Sequence, residues 1–191
     1  MVFLAACGKE APACPAGMAT METRARGLRV LLERVPEGAR VIGRVPAGAA
    51  RVCFGRVPVS AVTPDGTVLL EASLGDAEAA ARLGHLLLHV IEGPPMPALV
   101  PAAPALSGAE CGAAVRRALV AEAGALALEL GLRRALGVTA PALRYEFEQD
   151  FWRAPPEARE GVILAYLESH PGGGPGIDAL AESYRRRCAG R

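Results

Sequence analysis

His85 and His89 stand four residues apart, and with His170 they are the only histidines in the chain. On a helix of 3.6 residues per turn, that spacing puts both imidazoles on one face about one turn apart, where two ring nitrogens can converge on a single metal ion. Glu122 and Glu129 lie further on, in a stretch dominated by alanine and leucine. An ionised carboxylate in such surroundings needs either solvent or a cation. The two glutamates share a helix face, so either one can meet the histidines. Two imidazoles and one carboxylate are a ligand set that zinc accepts, with a fourth position left for water.

These residues need particular elements to bring them together. Asp76 to Glu92 reads as a helix, with apolar Leu83, Leu86, Leu87 and Val90 along one stripe and Gly93-Pro94-Pro95 at its end. Ser73 to Asp76 has an S-x-x-D capping pattern, and Asp76 and Glu78 sit at the positive end of the helix. Pro94 to Pro104 is a proline-rich crossing segment. A second capping box, Ser107 to Glu110, opens the longest helix, which runs to about Leu136 and is closed by Gly137. That helix is apolar on all sides and is expected at the centre of the molecule.

Upstream, Thr20 to Val35 has leucines at helical spacing, and Pro36 stops the helix. Ala39 to Val62 is rich in β-branched residues broken by glycine and proline, which predicts short strands. Pro64-Asp65-Gly66 marks a turn and Thr67 to Glu71 a strand. Downstream, Tyr145, Phe147, Phe151 and Trp152 form either a core plug or a binding patch. A helix from Pro155 to Ser169 follows, then a glycine loop from Pro171 to Gly176 without the phosphate-loop pattern. The last helix, Ile177 to Arg187, carries three arginines at its negative end, and His170 occupies a similar helix-end position. The fold class is therefore α+β and mostly helical, with a small antiparallel β-sheet before the histidine helix. Residues 1–20 read as a tether and residues 21–191 as a single domain.

Composition narrows the function. Lys and Arg total 21 against 20 Asp and Glu, a net charge of +1, so no field draws the chain to nucleic acid. No stretch approaches the roughly 20 apolar residues that span a bilayer. Of the five cysteines, none forms a C-x-x-C pair. Leu4-Ala5-Ala6-Cys7-Gly8 resembles a bacterial lipobox, and the Ala-, Pro- and Gly-rich residues behind it suit a tether. Met1 to Ala6 departs from a full secretory signal in lacking the charged segment and the complete apolar core. The resemblance implies a lipid anchor at Cys7 and a place in the cell envelope, on the periplasmic or cell-surface side. It leaves Cys14, Cys53, Cys111 and Cys188, an even number, in a compartment that permits disulfides, with three full pairings open.

The run from Val52 to Val90, with its strands, turn, capped helix and His85-Leu86-Leu87-Leu88-His89, resembles the core of zincin metallopeptidases. The gluzincin branch looks closest, because Glu122-Ala123-Gly124-Ala125 matches its later Glu-x-x-Ala. The resemblance implies a zincin-like domain, zinc as cofactor, and His85, His89 and Glu122 as metal ligands. It also implies a departure: the general base after the first histidine is replaced by Leu86, which cannot carry a proton. Loss of such a base removes typically about 10²–10⁴-fold of rate. The chain is then a degenerate metallopeptidase that binds zinc and a peptide or protein partner, in which the sheet edge can serve as a clamp. Two other readings stay open: a hydrolase with an unconventional base such as Glu129 or Glu78, and a metal-free helical interaction protein.

Overall fold

The computed structural model describes residues 13–93, 106–138, 145–170 and 180–188. Cys7 and residues 8–12 of its tether, the Pro94 to Pro104 segment and the Pro171 to Gly176 loop lie outside the described residues.

The chain enters through a short strand, β1 (Met18–Thr20), and two helices, α1 (Glu22–Glu33) and α2 (Pro36–Arg44). Strands β2 (Val52–Gly55), β3 (Ala61–Val62) and β4 (Val68–Glu71) follow, and then α3 (Asp76–Glu92). The second half holds α4 (Gly108–Ala135), α5 (Glu148–Arg153), a 3₁₀ turn at Pro156–Ala158, α6 (Arg159–Ser169) and α7 (Leu180–Cys188). The architecture is α+β and mostly helical.

Three expectations change. Pro36 does not simply end α1; it is the first residue of α2, so residues 39–44 are helical where strands were expected. Proline suits that position, because its fixed φ is already helical and its missing N–H would have no partner in the first turn. Val41 and Ile42 follow the helix despite their β preference, since α2 buries Val41 against the same core as Leu28 and Leu32 of α1.

The sheet is the second change. Its strand order is β1-β2-β4-β3, and it is mixed, not purely antiparallel. β1 and β3 flank it antiparallel, but the central pair is parallel, with Val52 opposite Val68 and Phe54 opposite Leu70. β2 and β4 alternate with the small β3 hairpin between them in sequence, so β4 returns in the same direction as β2. Val52, Phe54, Val68 and Leu70 are all buried.

The start of α3 differs as well. Gly75 is the N-cap and makes no side-chain cap bond. Ser73 instead donates its hydroxyl to Glu71 at the end of β4, where the carboxylate also accepts the Val57 backbone N–H. Glu71 thereby holds Ser73 at the strand end, and the helix begins beyond it. At α4, by contrast, Ser107 and Glu110 form the expected capping box. Its other end is closed by Gly137 at φ +70°, with the N–H groups of Gly137 and Val138 bonded back to the Arg134 and Arg133 carbonyls.

Two apolar clusters result. One joins α1, α2, the sheet and α3, with Leu132 reaching in from α4. The other joins α4 with Phe147, α5, α6 and α7, and includes Phe151, Ile163, Leu167 and Tyr184. Of the aromatic group left open between core and patch, Phe147 and Phe151 are core. Disulfides Cys14–Cys53 and Cys111–Cys188 tie the N-terminal segment to β2 and α7 to the first turn of α4. Each closes a long loop, which in the chain-entropy model stabilises the fold by roughly 4 kcal/mol.

The tight turn between α1 and α2 rests on Gly38, because a Cβ there would run into the backbone carbonyl of Leu32. Gly38→Ala should therefore destabilise by about 1–3 kcal/mol, read as a lower melting temperature by circular dichroism. An unchanged melt would mean that α2 can move away from α1 at no cost.

Candidate metal centre

The site forms where α3 faces α4. Arg82, His85 and His89 follow one another at intervals of three and four along α3, and all are at least nine-tenths buried. Glu122 and Glu129, two turns apart on α4, meet them, with Glu129 wholly buried. The site lies between α3, whose leucines belong to the first apolar cluster, and the part of α4 that builds the second.

His85, His89 and Glu122 converge, and the group can hold a metal ion. The two Nε2 atoms are 3.1 Å apart. Glu122 Oε2 lies 3.6 Å from the Nε2 of His85 and 3.5 Å from that of His89. These are the three residues that the sequence singles out as ligands. Glu122 is thus distinguished from Glu129, which sits on the other side of His85, its Oε2 3.0 Å from Nδ1. A carboxylate beside Nδ1 favours the ring proton there and leaves the Nε2 lone pair facing His89 and Glu122.

Three residues that the sequence did not connect with this site complete the network. Arg82 reaches Glu129 Oε2 at 3.1 Å and donates to the Tyr145 hydroxyl at 2.7 Å. Tyr145 donates in turn to Glu129 Oε1 at 3.1 Å. Tyr184 of α7 donates to Glu122 Oε1 at 2.6 Å. Arg82 carried a signal in the sequence, since it falls on the histidine face three residues before His85. The two tyrosines carried none, because they come from segments distant in the chain.

The electrostatics favour positive charge between the imidazoles and the carboxylates. Burial alone would lower the His85 pKa, but Glu122 and Glu129 outweigh it and the pKa is raised. Burial likewise opposes ionisation of Glu122, yet His85 and His89 hold its pKa well below the usual carboxylate range. Burial and the Glu122 charge push the Tyr184 hydroxyl up, so it stays a donor.

The remaining candidates lie apart. His170 closes α6, its Nδ1 2.9 Å from the Tyr166 carbonyl and its ring stacked on Tyr166, as expected for a helix-end residue. Glu78 is in the first turn of α3, two turns before His85 and roughly 10 Å away along the axis. Leu86 is 3% exposed and packs in the first apolar cluster with residues of α1 and the sheet.

No family model, curated protein or solved structure matches the chain. What the site can do therefore rests on its own geometry.

The packing of Leu86 generates a prediction. A carboxylate placed there enters the leucine core without a partner, so Leu86→Glu should cost at least about 3 kcal/mol of stability. Chemical denaturation beside the wild type measures it. A variant as stable as the wild type would show that position 86 can turn toward the metal group.

Proposed function

We propose that the chain is a zinc-binding protein in which the ion joins α3 to α4 through His85, His89 and Glu122 and acts by holding the fold, not by hydrolysis. The observation that carries this reading is the ligand triangle, with edges of 3.1, 3.5 and 3.6 Å. Ligands about 2.1 Å from a zinc ion at tetrahedral angles stand about 3.4 Å from one another. The donor set of two imidazoles and one carboxylate suits zinc as well, and Glu129 beside His85 supplies the outer support common to such ligands.

Hydrolysis finds little support. The proton carrier of a zincin would have to replace Leu86, which lies in the core. Glu129 is engaged with Arg82, Tyr145 and His85, and Glu78 is remote. All three ligands are more than nine-tenths buried, which suits a structural ion better than a substrate cleft. The fourth zinc position that three protein ligands leave open favours, as the second reading, a hydrolase with an unconventional base.

The zincin resemblance enters as a degenerate relative at most. The clamp it suggests would have to use an edge strand, and the two edges, β1 with three residues and β3 with two, offer little backbone to an extended peptide. We place the protein in the cell envelope, anchored at Cys7. Two disulfides formed by the other four cysteines support an oxidising compartment, and that pairing leaves Cys7 for the lipid.

The test is metal content by mass spectrometry on untagged protein, with thermal unfolding before and after chelator. Near-stoichiometric zinc is expected, with loss of zinc in His85→Ala/His89→Ala and in the isosteric Glu122→Gln. Chelator should lower the melting temperature by roughly 10 °C if the dissociation constant lies far below the free zinc concentration before chelation. Absence of zinc together with an unmoved melt would sink the metal reading and leave the histidines as scaffold. Peptide hydrolysis that disappears with chelator would favour the second reading.

A further inference from the structure

The two oxygens of Glu122 have different neighbours. Oε2 faces the imidazole nitrogens of His85 and His89. Oε1 accepts the Tyr184 hydroxyl at 2.6 Å. We propose that Tyr184 is a positioning residue that restricts Glu122 to one-oxygen coordination, and so biases the centre toward ions content with four ligands. The inference rests on the metal-centre reading above and adds the basis of its selectivity.

The chemistry follows from the competition for Oε1. A carboxylate can give a cation one oxygen or both, and the two-oxygen mode belongs mainly to larger, oxygen-seeking ions with six or more ligands. To give both here, Oε1 would have to divide its electron density between the ion and the Tyr184 hydroxyl, weakening a hydrogen bond to an ionised acceptor, which is roughly twice as strong as a neutral one.

Tyr184 is also held in place. Its ring is buried in the second apolar cluster. One turn further along α7, Cys188 is bonded to Cys111 in the first turn of α4. Glu122 lies three turns along α4 from Cys111, so α7 runs back along α4 and is pinned at two points: the disulfide and the hydrogen bond to Glu122. A hydroxyl fixed in this way can direct a carboxylate, where one on a loose segment would follow it.

The test uses the untagged protein and Tyr184→Phe, titrated with cobalt(II) and followed by visible absorption, beside competition between zinc and manganese(II). The wild type should give the intense bands of four-coordinate cobalt. Tyr184→Phe should give the weaker bands of a higher coordination number, bind zinc roughly 10-fold or more weakly, and show a narrower preference for zinc over manganese. A folded, loaded Tyr184→Phe with the wild-type spectrum and preference would overturn the inference and leave the metal centre standing. Should that variant not fold, the infrared difference spectrum of the wild type on zinc loading decides. Widely separated carboxylate stretches support one-oxygen binding, and closely spaced ones overturn it. A wild type that takes up neither cobalt nor zinc overturns the metal reading and this inference with it.

Discussion

Two carboxylates taken out of water on one helix are the constraint around which this protein is built. Glu129 has no exposed surface and Glu122 very little, and α4 is otherwise mostly alanine and leucine. A buried carboxylate without compensation costs several kcal/mol, enough to consume much of a domain's stability. The compensation is supplied from three separate segments: Arg82, His85 and His89 from α3, Tyr145 from the stretch before α5, and Tyr184 from α7. The positions of those segments around α4 are therefore coupled to the charges at its centre.

That coupling explains the layout of the apolar packing. Apolar side chains of α1, α2, the sheet and α3 make one cluster, and the aromatic and aliphatic side chains around α4 to α7 make another. The polar group occupies the α3–α4 contact, where a continuous apolar seam would have been simpler to build. Buried ionic groups add little stability over well-packed apolar residues, so their presence calls for another role. Holding an ion in that contact would be such a role, because a bound ion adds stability that grows with the logarithm of its free concentration over its dissociation constant.

The covalent ties act at the edges of the same arrangement. Cys111–Cys188 fixes α7 against α4 close to the turn that carries Tyr184, and Cys14–Cys53 fixes the entering chain to β2. Neither disulfide touches the ligand group. One of them nevertheless limits how far the Tyr184 hydroxyl can move from Glu122, so a local hydrogen bond acquires the rigidity of the helix pair.

Much of this was legible in the residues. The period of His85 and His89 put both rings on one helix face, and the apolar stripe, the Ser107 to Glu110 capping box and Gly137 marked α3 and α4 correctly, because these signals are local and repeat with the helix turn. The pairing of Glu122 with the histidines was suggested by a family pattern, but spacing alone could not separate it from Glu129. The mixed sheet, the helix that begins at Pro36, the cap at Gly75 and the contributions of Tyr145 and Tyr184 were not legible. Each depends on which of several available partners a group takes: Glu71, two residues away, draws Ser73 from the cap, and α7 brings a hydroxyl to Glu122 from 62 residues down the chain. The sequence by itself determined which residues share a helix face, since a helix turn is a property of neighbours. Only the tertiary structure decided which faces meet, because a buried charge accepts whatever partner the packing brings within reach.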